Sequence, residues 1–180
     1  MGVEYLEFGC RVLLGGVFAV SAGSKLYSRA VFADFTAATA RLTGARVARA
    51  RLFAAATVAA EFAVVVALIV PALVLWGFAA GIGLLAVFSA AIVRSLRRGQ
   101  RAPCRCFGAS NSPLGTQHVA RNAALAAFCL LGIAAGLSDG AASLDLGPAC
   151  VVAFAALIGV ALTARLDDLI GLFRTTTATL

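Results

Sequence analysis

Acidic residues are scarce in this chain. Eight Asp and Glu stand against 15 Lys and Arg in 180 residues, and only 13% of positions are charged. A soluble domain carries about twice that share, so a water-facing globule is excluded. Histidine, methionine and tryptophan occur once each. A single histidine beside five cysteines forms no tetrahedral zinc signature, and five cysteines in a chain of this length are not a dense disulfide framework. No segment alternates apolar and polar residues with the period of two that an outer-membrane strand needs, which argues against a barrel.

What is abundant is hydrocarbon. The chain is 62% hydrophobic with a mean hydropathy of +0.98. Its apolar residues fall into blocks of roughly 18 or more, the length a helix needs to cross ~30 Å of lipid at ~1.5 Å per residue. The expectation is an all-α integral membrane protein forming a single domain over 1–180. Transmembrane helices are read at 8–26, 52–71, 74–95, 116–137 and 147–164. An interfacial amphipathic segment lies at 28–51, a polar loop at 96–115 and a polar tail at 165–180. The apolar run after Arg51 is twice a spanning length and is divided by a turn near Pro71, with Trp76 as an interfacial anchor. The first block carries Glu4 and Glu7 where a cleaved signal would be basic, and a basic segment follows it, so it is read as a retained helix.

Charge sets the expected topology. Six cations lie between Lys25 and Arg51 and six more between Arg94 and Arg121, whereas the other connections carry Glu4, Glu7, Asp139 and Asp145. The positive-inside rule then places both basic loops and the C-terminus in the cytoplasm and the N-terminus outside. The formal charge of +7 reads as topology and contact with an anionic bilayer, not as nucleic-acid binding. Small residues four apart are candidate helix contacts: Gly15, Ala19 and Gly23, then Gly77 and Gly81, then Gly132 and Gly136.

The polar loop holds "APCRCFGASNSPLG". Cys104 and Cys106 are one residue apart, so a disulfide between them closes a small, strained ring of the exchanging rather than the structural kind. Arg101 and Arg105 supply positive potential that favours the thiolate, the attacking form. The pair admits three readings: a redox couple, a metal site with His118 that lacks an evident fourth ligand, or two incidental cysteines. Cys10 and Cys150 lie near the outer ends of their helices and Cys129 near mid-bilayer. They read as small hydrophobes or as a relay of electrons across the membrane, alone or through a bound quinone. Glu61 is the carboxylate deep in an apolar segment, either paired with Arg11 or handling protons. Lys25 is expected to reach for the headgroups. Arg121 and Asn122 open the fourth spanning helix beside the loop, and Phe107 packs at the interface or offers a docking spot.

"GGVFAVSAGSKLYS", "AAEFAVVVALIVP" and "CRCFG" followed by "ARN" together resemble the methylamine utilisation MauE family and, more broadly, the DoxX-like membrane proteins. The likeness covers roughly 8–137 and implies a four-helix bundle to which this chain adds a fifth, C-terminal span. Cys104, Cys106, Phe107 and Gly108 match the motif, Lys25 and Glu61 its helix landmarks, and Arg121 with Asn122 the opening of the helix after it. The resemblance implies a bacterial inner-membrane protein that works with a thioredoxin-like partner on the disulfides of an exported client. Two other classes stand beside it: an accessory subunit of a larger membrane complex, and a DoxX-like quinone or small-molecule binder. An exported client lies outside, whereas the charge count puts the thiols on the side where thiols are kept reduced. Either the loop faces outward, or the chain carries reducing power across the membrane.

Overall fold

The computed structural model describes residues 2–98, 116–138 and 145–176, the side chains of 167–176 excepted. It contains α1 (Val3–Leu26), α2 (Arg29–Thr43), α3 (Val47–Ile69), α4 (Val74–Arg97), α5 (Thr116–Leu137) and α6 (Leu146–Thr176), and no strand among the described residues. Five of these helices are long and apolar enough to cross a membrane, so the chain is an all-α integral membrane protein. The exception is α2, whose 15 residues span about 22 Å, short of a hydrocarbon core.

Local chemistry sets the breaks. Ser28 caps α2 by accepting a hydrogen bond from the Val31 amide at 3.2 Å. The helix stops at Gly44, which takes φ 68°, a left-handed conformation that costs a glycine little, and whose amide bonds back to the Ala40 carbonyl. Pro71 cannot donate to the preceding turn, so α3 ends at Ile69 and a single 3-10 turn, Pro71–Leu73, reverses the chain into α4. The basic segment read as one interfacial stretch therefore divides. Its first part is α2, while Arg49 and Arg51 already belong to the opening turns of α3. The backbone after 164 also continues as helix to Thr176 rather than leaving α6 as a tail.

Packing neighbours define a closed ring in which α1 touches α3, α3 touches α4, α4 touches α5 and α5 returns to α1. Outside the ring, α6 lies along α1, and α2 packs chiefly on α3. The α1–α6 pair is parallel, since Cβ positions at Gly9 and Gly16 meet Val152 and Val160 in turn. Glycine enforces the close approach of α4 to α3, where a Cβ at Gly77 would lie 3.0 Å from the Leu68 backbone nitrogen. On α5, a Cβ at Gly132 would enter the ring of the fully buried Phe78. The α1 stripe is different. Gly15 and Gly23 face open space, and the contacts of α1 run through Gly9 and Gly16 instead, because the helix buries a different face than the spacing suggested.

The core is divided by polarity. Toward the N-terminal end of α1 it is hydrocarbon and thiol, built from Cys10, Leu14, Val17, Phe18, Leu68, Phe78 and Cys129. Toward the C-terminal end of α1 it becomes polar, with Ser21, Lys25, Thr36, Glu61, Ser95, His118, Arg121 and Asn122 all buried.

Candidate functional site

The polar half of the core draws on five helices. Lys25 projects from the last turn of α1, and Ser21 lies one turn earlier on the same face. The Lys25 ammonium donates to Glu61 Oε1 at 2.7 Å and Oε2 at 3.0 Å, and to Ser21 Oγ at 2.6 Å. Ser21 Oγ in turn donates to Glu61 Oε1 at 2.9 Å. Both charges are out of contact with solvent, Lys25 at 2% exposure and Glu61 at 0%. Such a pair persists in a low-dielectric interior only with its hydrogen bonds satisfied, and the serine supplies the third partner each ion needs. The Phe35 ring of α2 closes the site from below, its centroid 5.2 Å from the ammonium.

Two expectations are corrected here. Glu61 pairs with Lys25, not with Arg11, and Lys25 is buried rather than extended toward the headgroups. The physical reason is α2. By folding back beneath α1 it covers the helix end, while a lysine stem that leans toward its own N-terminus carries the ammonium back into the bundle. Arg11 has another task at the opposite end, where it donates to the carbonyls of Leu68 at 2.9 Å and Ile69 at 3.1 Å. These are among the last carbonyls of α3, which have no partner within the helix.

Across from Ser21 stand the first two turns of α5. Arg121 and Asn122 are buried there, and Asn122 donates to Ser89 Oγ of α4 at 3.3 Å. A cavity of about 20 Å³ lies between the two groups, lined by Ser21 on one side and Arg121 and Asn122 on the other. That is room for one water molecule and far too little for a quinone ring. Leu42 of α2, Leu96 of α4 and Val119 of α5 pack against the buried Ile92 of α4. The ends of α4 and α5 therefore meet at the same end of the bundle as α2 and the ion pair.

Cys104, Cys106, Arg101, Arg105, Phe107 and Gly108 lie outside the described residues, in the connection between Arg98 and Thr116. The other thiols lie in helices, Cys10 in α1, Cys129 in α5 and Cys150 in α6. Cys10 and Cys129 are buried in the apolar half, and Cys129 is about 20 Å along α5 from Thr116 at ~1.5 Å per residue. Cys150 is exposed near the start of α6. Among the described residues no three His, Cys, Asp or Glu side chains gather as a metal site would require. A groove of about 500 Å³ beside Cys10, between α1, α5 and α6, is lined by Tyr5, Phe128 and Gly159 among others and belongs to the apolar end.

Ser21 was not singled out from the sequence, and Phe35 was not expected at the ion pair. A readable signal existed for the first, since Ser21 and Lys25 share a helix face four residues apart. None existed for the second, because the fold-back of α2 is a tertiary event.

Compared with known proteins, residues 3–135 match the family model described as methylamine utilisation protein MauE. The match runs from α1 almost to the end of α5 and stops short of α6. No curated protein and no solved structure matches the chain.

Proposed function

The chain belongs to the MauE family of methylamine utilisation proteins, and from that premise we propose that it is a membrane thiol-redox protein whose working pair is Cys104 and Cys106. In this reading one thiolate attacks the disulfide of a thioredoxin-like partner, forming a mixed disulfide and releasing one partner thiol. The second cysteine then attacks that mixed bond, the other partner thiol departs, and the pair is left oxidised with two electrons passed to the partner. The same steps run backwards oxidise the partner, and the difference in reduction potential sets the direction. Arg101 and Arg105 hold the attacking sulfur as thiolate. The client is an exported protein whose disulfides depend on this exchange.

The observation that supports the reading most is the placing of polarity. Among the described residues eight buried polar side chains from five helices gather at the end of the bundle where the connection bearing Cys-Arg-Cys leaves α4 and enters α5. A helical membrane protein with no task at that end has no need to bury Lys25, Glu61, His118 and Arg121 there, since each is costly in lipid. Glu61 and Lys25 anchor this floor, and Glu61 is its one acidic group among the described buried residues. The excess of Lys and Arg at the same end supports a cytoplasmic position for it, in a bacterial inner membrane with the N-terminus outside.

The test replaces Cys104 and Cys106 together by serine in cells that express the client. The expected result is client protein that accumulates with its thiols misoxidised while the variant remains in the membrane at normal level. An unchanged client oxidation state in that strain defeats the proposal.

A further inference from the structure

A groove of about 820 Å³ runs between α2 and the junction of α1 with α3. Its walls are mainly apolar, from Leu26, Phe32 and Val47, with Ser28 and Thr36 among them, and two arginines complete the lining, Arg29 at the start of α2 and Arg51 in the opening turns of α3. Among the described residues no acidic side chain lines it. Among the described residues neither arginine forms an ion pair or a side-chain hydrogen bond. The apolar wall continues outward over Leu52 and Phe53, exposed residues on the face that α3 turns to the bilayer.

From this geometry we infer that the groove is a binding site for an anionic phospholipid of the surrounding bilayer. Two guanidinium groups beside one apolar channel match a phosphodiester joined to acyl chains. The phosphate takes charge-assisted hydrogen bonds from Arg29 and Arg51, and one chain runs over Phe32 and Val47 toward Leu52 and Phe53. A headgroup that adds an ammonium brings a third positive charge to the same rim and is disfavoured. The lipid has a structural consequence, because α2 carries both Phe32 in the groove wall and Phe35 over the Lys25 ammonium. A lipid bridging Arg29 and Arg51 ties α2 to α3 and so holds the cover on the buried ion pair. The inference does not rest on the thiol proposal, since Arg29 and Arg51 have no part in that exchange.

The experiment is native mass spectrometry of the full chain with Cys104 and Cys106 both changed to serine, so that thiol chemistry does not enter. The protein is purified in detergent and offered palmitoyl-oleoyl phosphatidylglycerol or the phosphatidylcholine of the same chains. The expected result is one retained phosphatidylglycerol and little phosphatidylcholine. Arg29→Gln with Arg51→Gln is expected to lower that retention roughly tenfold or more. Arg41→Gln with Arg49→Gln, an equal loss of charge outside the groove, leaves it in place. Equal retention of the two lipids by the parent protein overturns the inference without any variant, as does displacement of the bound lipid by inorganic phosphate alone. An equal loss in both double variants also overturns it, since that marks diffuse attraction rather than a site.

Discussion

The ion pair of Lys25 and Glu61 is costly to bury, and its behaviour under substitution follows from that burial. Removing one partner leaves the other charge in the bundle with no counter-ion, which costs about 3–5 kcal/mol. Lys25→Met and Glu61→Leu are each expected to lower stability by about that much in micellar unfolding, and the double variant to recover most of it. A double variant as unstable as either single one contradicts this account of the pair. The thiols divide on the same ground of exposure. Cys10 and Cys129 are buried and Cys150 is exposed, so a maleimide added to the folded protein is expected to modify Cys150 and spare the other two. Modification of Cys129 without denaturant contradicts its packing on Gly81, where even a Cβ would lie 3.3 Å from the sulfur. Much of this chemistry was legible beforehand, since a lone glutamate in an apolar run announces a buried partner. Which partner was not, because depth along a helix is counted as though the membrane were a flat slab, and α2 folding under α1 makes the helix end interior.

At the scale of the helix, glycine positions separate contact from composition. The sequence offered three small-residue stripes of equal quality, and those of α4 and α5 meet neighbours while Gly15 and Gly23 on α1 meet nothing within 4 Å. Spacing alone does not say which face of a helix is turned inward when alanine and glycine are common all round it. The consequence is measurable. Gly77→Leu is expected to push α4 from the α3 backbone and cost about 1–3 kcal/mol, whereas Gly15→Leu costs little. Thermal unfolding of the two variants in one detergent checks the contrast, and an equal loss in both contradicts the assigned faces. The basic segment at 28–51 was read as one amphipathic stretch. Its division was not legible, because the boundary with α3 rests on the left-handed turn at Gly44, and glycine there looks like any other.

For the molecule as a whole, the family match, the ring of four spanning helices and the division of polarity describe one arrangement. Residues 3–135 cover the ring and α2, whereas α6 sits outside it along α1. A chain ending after Ser138 is therefore expected to insert and keep the Lys25–Glu61 pair, seen as protease resistance equal to that of the full chain, and a loss of that resistance assigns α6 to the core. The central claim concerns the end of the bundle where the polar residues gather. It is tested most directly in a background with Cys10, Cys129 and Cys150 changed to alanine and either Cys104 or Cys106 changed to serine, by acid-quenching whole cells and resolving the protein without reductant. With the resolving thiol gone, the account predicts a mixed disulfide with a thioredoxin-like protein that accumulates in at least one single variant and vanishes on reduction. Neither variant forming such an adduct, while both stand in the membrane at normal level, contradicts it.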